Sequence, residues 1–193
     1  MSTADRRTDL LDLAQGMIQE RGYNAFSFKD LATRVGIKTA SVHYHFPSKG
    51  ELGLQVMKRY LDQLELSLRT WAELPSETAR LRAFVGSYRD TEIQGGICLC
   101  GSMASDIQTL DAPIRSPINR YLESSEQWVV QCVQAGLESG EFLSALPAET
   151  LAMSLLPSLQ GALILSRAQR GGTQLAAVER SFFASLGVLD DRP

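Results

Sequence analysis

Residues 27–49, SFKDLATRVGIKTASVHYHFPSK, decide how this chain folds. Ser27, followed three residues later by Asp30, is a capping-box-like helix start, with Asp in the place more often held by Glu. Phe28, Leu31, Ala32 and Val35 then recur at helical spacing and define one apolar face. Gly36 stands just past the last apolar position, where a left-handed residue commonly ends a helix. Ile37 can plug the gap beyond it, and Thr39 can cap a second helix of about two turns. The spacing predicts helix, short glycine turn, helix. That arrangement places its second member in the major groove of DNA.

Working outward, Leu10, Leu11, Ala14, Met17 and Ile18 form an apolar stripe that ends at Gly22, a first helix packing behind the other two. Tyr23, Phe26 and Phe28 supply bulk for this small three-helix core. On the other side, Ser48-x-x-Glu51 is a second capping box, opening a long helix through about Trp71 that ends near Pro75. Further helices are expected at about 77–93, 99–109, 113–139, 147–170 and 174–187. Pro113 and Pro147 fall where first-turn prolines are tolerated. Gly95-Gly96, Gly140 and Gly171-Gly172 mark breaks, and Pro157 is expected to kink the helix that holds it. Strand-like alternation is absent. The expected fold is all-α with about nine helices: a helix-turn-helix domain over residues 1–49 and a helical effector-binding and dimerisation domain over 50–193.

The net charge of −3 hides a polarity. Residues 1–50 carry seven Lys and Arg against five Asp and Glu, whereas residues 51–193 carry twelve against seventeen. The basic charge therefore sits with the helix-turn-helix and the acidic body follows it. The polar N-terminus lacks the apolar core of a secretion signal, and no apolar run approaches the roughly 18 residues of a membrane span. A cytoplasmic location without membrane association is expected. Three cysteines, at 98, 100 and 132, and two histidines, both within residues 43–45, give neither a disulfide framework nor a metal site. No HExxH, GxSxG or phosphate-loop pattern occurs, so an enzyme is not expected, nor a cofactor.

Leu31-Ala32-x-x-Val35-Gly36-Ile37, then Ser41-Val42-His43-Tyr44-His45-Phe46, then Ser48-Lys49-x-x-Leu52 resemble the N-terminal domain of the TetR/AcrR family of bacterial repressors, across roughly residues 7–56. One departure stands out: the family's usual Tyr, two residues before the His-Phe pair, is His43 here, with Tyr44 beside it. The resemblance implies a homodimer on a palindromic double-stranded operator, released when a small molecule fills the C-terminal domain. Alternatives are a repressor sensing oxidants or electrophiles through cysteine, and a DNA-binding regulator without a ligand.

The residues expected at DNA are Lys29, Thr33, Lys38, Thr39, Ala40, Ser41, His43, Tyr44 and Lys49. Small and hydroxyl side chains near the start of the second helix let the backbone approach bases and phosphates, and the lysines reach phosphates. Lys49, at the start of the long helix, is expected to hold a phosphate together with free backbone N–H groups. Val42 and Phe46 are assigned to the core, and His45 fits either role.

Effector contacts are expected among residues that combine bulk with polarity: Trp71, Phe84, Tyr88, Met103, Tyr121, Trp128 and Gln160. Cys98 and Cys100 join them, because a thiol in the first turn of a helix feels its positive end and becomes more acidic. The stretch around them resembles the corresponding loop of cysteine-sensing members of that family. Leu156, Leu159, Leu163, Phe182, Phe183 and Leu186, on the last two helices, are expected to form a four-helix bundle with a partner copy.

Overall fold

The computed structural model describes residues 3–169 and 172–188. Among them are nine α-helices, one short 3-10 turn and no strand. The helices are α1 (Thr3–Arg21), α2 (Phe28–Val35), α3 (Thr39–His45), α4 (Lys49–Ala72), α5 (Glu77–Ile93), α6 (Leu99–Ser105), α7 (Ala112–Ser139), α8 (Ala148–Ala168) and α9 (Gln174–Ser185), with the 3-10 turn at Tyr23–Ala25. The all-α expectation holds, and α5 runs over the expected span.

Local chemistry sets the helix-turn-helix. Ser27 Oγ accepts from Asp30 N at 3.3 Å, and Asp30 Oδ2 accepts from Ser27 N at 2.8 Å, a reciprocal cap on α2. At the other end Gly36 adopts φ 75°, ψ 36°, a left-handed conformation that a side chain would strain. Ile37 N then reaches back to Ala32 O at 3.0 Å, so the last carbonyls of α2 are satisfied as the chain turns. The expected cap on α3 is displaced by one residue. Thr39 is the first helical residue, and the capping position belongs to Lys38, which makes no side-chain cap.

Two compact units emerge from the packing. One comprises residues up to Gln63 with Cys98–Tyr121; the other comprises Leu64–Ile97 with residues from Leu122 onward. Residues 50–63 and 98–121, which a division at position 49 assigns to the body, thus pack with the N-terminal helices. Their core runs through Leu10, Ala14 and Ile18 of α1, Leu31 of α2, Val42 of α3, Leu52 and Val56 of α4, and Leu99 and Met103 of α6. Ser102 donates to Ile18 O at 3.0 Å and pins α6 to α1. Gly53 is needed for close approach: a Cβ there would stand 2.7 Å from the Tyr23 ring. Val35, expected on the buried face of α2, is only half-buried.

In the second unit, α8 packs along α9 and against α5. Its first turn of α5 is capped from a distant loop: Glu141 accepts from Glu77 N at 3.0 Å and from Thr78 N at 2.7 Å. Glu179 of α9 is buried and held by Arg89 and by Arg82, the latter at 3.7 Å. The α6 helix stops at Ser105 rather than about 109, because Asp106 and Thr109 close a turn, Thr109 N reaching Asp106 O at 2.9 Å. Likewise α9 ends at Ser185, where Gly187 at φ 74° turns the chain and Val188 N returns to Phe183 O. Helix α8 continues through Pro157 as one element. It ends at Ala168, two residues short of the expected 170, with Gln169 N reaching Leu165 O at 3.0 Å; Gly171, the first residue of the expected break, lies outside the described residues.

One expectation about α8 needs correction. Ala148–Ala168 is, by length and composition alone, long and apolar enough to cross a membrane. Its leucines at 151, 155, 159 and 163 are nonetheless buried against neighbouring helices, the pattern of a core helix.

Candidate nucleic-acid interface

Helix α3 buries one of its seven residues, Val42, and Phe46 just beyond it is fully buried too. These two anchors turn the remaining residues outward. Ala40, Ser41 and His43 are exposed, Tyr44 is 77% exposed, and Thr39 and His45 are half-buried. An exposed tyrosine of that degree on a seven-residue helix has no packing role to explain it. His43 is braced without being covered: its ring meets Phe28 edge-on at 4.8 Å. Tyr44 in turn sits edge-on to His45 at 5.3 Å.

Cations surround this surface unequally. Lys29 and Lys38 are exposed, as is Thr33, whose hydroxyl donates to Lys29 O at 2.8 Å and keeps its lone pairs outward. Arg34 is diverted into a two-pronged pair with Glu20, at 3.1 and 3.3 Å. Arg7, which sequence reasoning passed over, lays its guanidinium 4.9 Å from the Phe46 ring and so places a cation at the foot of α3. The only local signal for it was the Arg6-Arg7 pair near the start of α1.

Lys49 departs from expectation. Its ammonium donates to Phe26 O at 2.6 Å and lies 4.6 Å from the centres of both the Tyr23 and Phe26 rings. Tyr23 completes the clasp by donating to Lys49 O at 3.0 Å. Burial pulls the Lys49 pKa down, while the Asp106 and Asp30 carboxylates oppose that pull. The side chain faces inward and ties the start of α4 to the 3-10 turn, instead of standing out as a phosphate hook. In the first turn of α4, Glu51 N is capped by Ser48 Oγ at 3.0 Å.

The effector candidates fall into two sets. In the second unit Trp71, Phe84, Tyr88 and Trp128 converge. Phe84 stacks on Trp128 at 5.8 Å and 26°, Trp71 meets Phe84 edge-on at 6.1 Å and Trp128 at 6.0 Å, and Tyr88 leans on Phe84 at 5.7 Å. Gln160, in the same unit, has its amide nitrogen shielded from water without a hydrogen-bond partner among the described residues. Cys98, Cys100, Met103 and Tyr121 belong to the first unit, all buried. There Tyr60 stacks on Tyr121 at 5.0 Å and its hydroxyl lies 3.7 Å from Cys98 Sγ.

At Cys100, burial also overturns the expectation of an acidified first-turn thiol. Cys100 donates to Ile118 O at 3.8 Å and is wholly enclosed, and burial first, then the neighbouring Cys98, pushes its pKa far up. Cys98 is 2% exposed. A seven-residue helix supplies too little dipole to offset such desolvation.

The six residues expected at a dimer interface are likewise interior. Leu156, Leu159, Leu163, Phe182, Phe183 and Leu186 are all buried within the single chain, where α8 and α9 face each other. The apolar side chains that α8 does expose are Met153, Ile164 and Leu165. A groove between α8 and α9 is lined by Leu146, Ser154, Ser158, Val178, Ser181 and Ser185 among others.

The chain matches two family profiles: "Bacterial regulatory proteins, tetR family" over residues 10–56, and "Tetracyclin repressor-like, C-terminal domain" over residues 78–182. It is 26% identical to the HTH-type transcriptional repressor DhaR of Mycobacterium sp. (strain GP1), over 88% of this chain and 86% of that one. Among solved structures it resembles a TetR transcriptional regulator from Legionella pneumophila, with 30% identity, TM-score 0.84 and coverage of 96% of this chain and 98% of that one. It also resembles a TetR-family transcriptional regulator from Agrobacterium tumefaciens, with 25% identity, TM-score 0.89 and coverage of 96% and 99%.

Proposed function

The chain belongs to the TetR family of bacterial regulatory proteins, and on that premise we propose that it is a cytoplasmic, ligand-responsive transcriptional repressor that binds a near-palindromic operator as a homodimer. The observation that carries this reading is α3: a short helix anchored by Val42 and Phe46 that presents Thr39, Ala40, Ser41, His43 and Tyr44 outward. Ser41 and Thr39 can hydrogen-bond to base edges or phosphates. Ala40 allows close backbone approach, and Tyr44 and His43 reach the flanking backbone. Lys29 and Lys38, with Thr33 nearby, neutralise phosphates on either side. Lys49 acts indirectly, by holding the head in shape.

A recognition helix of seven residues is too small to bind tightly as a single copy. Two heads, set one helical turn of DNA apart at about 34–36 Å, solve this. The pairing surface on this reading is the outer side of α8 and α9, where Met153, Ile164, Leu165 and the serine-lined groove lie. Small residues there allow the helices of two copies to approach closely. The effector occupies the body, and it acts by binding more tightly to a head spacing that does not match the operator.

Selection from random duplexes followed by footprinting tests the proposal. One short near-palindrome, protected by two subunits, is the expected result. Binding with no sequence preference at low salt, with the dimer intact, overturns it.

A further inference from the structure

Resting on the reading that the body binds an effector, we infer that this effector is an amphiphilic organic cation, an amine or quaternary ammonium carried on an apolar frame, recognised by Glu92 and the aromatic cluster of Trp71, Phe84, Tyr88 and Trp128. On α5, Leu81, Tyr88 and Glu92 fall within about 40° of one another around the helix axis, with Phe84 and Val85 flanking them. All of these except Glu92 are buried apolar or aromatic residues, so the carboxylate continues a core-facing stripe. Its Oε1 is shielded from water and makes no hydrogen bond among the described residues.

The cations of α5 do not neutralise Glu92. Arg82 and Arg89 lie about 60–80° away from it around the helix, and both engage Glu179 of α9. Arg80 pairs with Glu77 one turn earlier. A carboxylate oxygen facing inward without a cation is costly, and a positively charged ligand relieves that cost.

The register of α5 against α7 points the same way. Glu77 lies beside Cys132, and Phe84 stacks on Trp128, so the two helices run antiparallel. Advancing four residues from Phe84 to Tyr88 covers about 6 Å, close to the step back from Trp128 to Ser125. Ser125 therefore falls between the levels of Phe84 and Tyr88, on the way to Glu92. It is fully buried, and its hydroxyl makes no hydrogen bond among the described residues. Two unsatisfied polar groups thus follow an aromatic wall along one seam, whereas buried polar groups are ordinarily paired. Trp71 and Trp128 are only half-buried, so part of each indole remains open to a guest. Aromatic faces with a nearby carboxylate are the recognition chemistry of organic cations, and an apolar wall with a few polar anchors suits a small ligand.

The chain has two tryptophans, and both stand in this cluster, so intrinsic fluorescence reports on the site directly. The test titrates the full-length protein with benzyltrimethylammonium and with neopentylbenzene, its uncharged isostere. The cation should shift the tryptophan emission saturably and bind at least tenfold more tightly than the isostere. Glu92→Gln should collapse that preference to within twofold, a ratio read inside one protein and so insensitive to its stability. Equal or tighter binding of the isostere, absence of binding by the cation, or a preference unchanged in Glu92→Gln overturns the inference. Selection of a specific duplex is measured on the same preparation. If a duplex is selected while the cation is ignored, the assignment of ligand class falls and the repressor reading stands. If no duplex is selected, the repressor reading falls instead.

Discussion

Helices α3 and α8 use their residues in opposite ways. The former buries one side chain of seven and turns the rest outward; the latter buries nine of twenty-one and still leaves Met153, Ile164 and Leu165 exposed. Substitution on the two should therefore fail differently. On α3, stability resides in Val42 and the adjacent Phe46, and contact resides in the other side chains. On α8, the same leucine-rich sequence serves the core on one side and, on the proposed reading, a partner copy on the other. Apolar character alone does not tell these two sides apart.

The largest expected effect sharpens that contrast within α8. Leu159→Ala should cost about 2–5 kcal/mol in urea unfolding, because a fully buried leucine leaves a cavity. Met153→Ala, at 62% exposure, should change monomer stability by less than about 0.5 kcal/mol while weakening self-association in sedimentation. Equal losses of stability would mean that the two sides of α8 are not distinct.

Next come two lysines of the head. Lys49→Ala removes a bond to Phe26 O and two ring contacts, and should lower stability by about 1–3 kcal/mol. The salt dependence of DNA binding should keep its slope. Lys38→Ala should do the reverse, leaving the melting curve in place and reducing the slope of log K against log salt by about one. If both lysines alter the slope alike, the inward position of Lys49 is not the one it holds on DNA.

Smaller still, Ser27→Ala should cost about 1 kcal/mol by removing the cap of α2, measurable as a shift in urea midpoint. The least effect is expected at Glu141. Burial tends to raise its carboxyl, but hydrogen bonds from Thr78 and Glu77 outweigh that and hold the pKa below its ordinary 4.5. A depressed carboxylate stabilises the fold fully above that ordinary value, and the contribution disappears as pH falls through the lowered one. Glu141→Gln should therefore lose a few tenths of a kcal/mol at pH 7, given its exposure, and nothing at pH 2. A difference that persists at pH 2 would assign Glu141 a role other than capping.

Much of the fold was legible along the chain because its causes are local. The Ser27–Asp30 box, the glycine at 36 and the spacing of Phe28, Leu31 and Ala32 act within one or two turns, and they mark α2, the turn and α3 to within a residue. The Thr39 cap missed by one position because Lys38 already occupies the extended backbone before the helix. The inward turn of Lys49 was not legible for a different reason. Its partners, Tyr23 and Phe26, lie more than twenty residues away, and nothing adjacent to it signals an aromatic clasp. The aromatic candidates Trp71, Phe84, Tyr88 and Trp128 were named by type and converge in the structure, but Glu92 was passed over because a glutamate near a helix end usually faces water.

What the amino-acid order alone determined is the set of helices, the local cap of α2 and the outward character of α3. Hydrogen bonds between near neighbours and a 3.6-residue period suffice for these. Only the tertiary structure decided which side of α8 and α9 is core, that the thiols of Cys98 and Cys100 are enclosed, and that the ammonium of Lys49 points inward. Burial is a property of neighbours distant in the chain. The free energy of a charge or a thiol follows from that burial more than from the residues on either side of it.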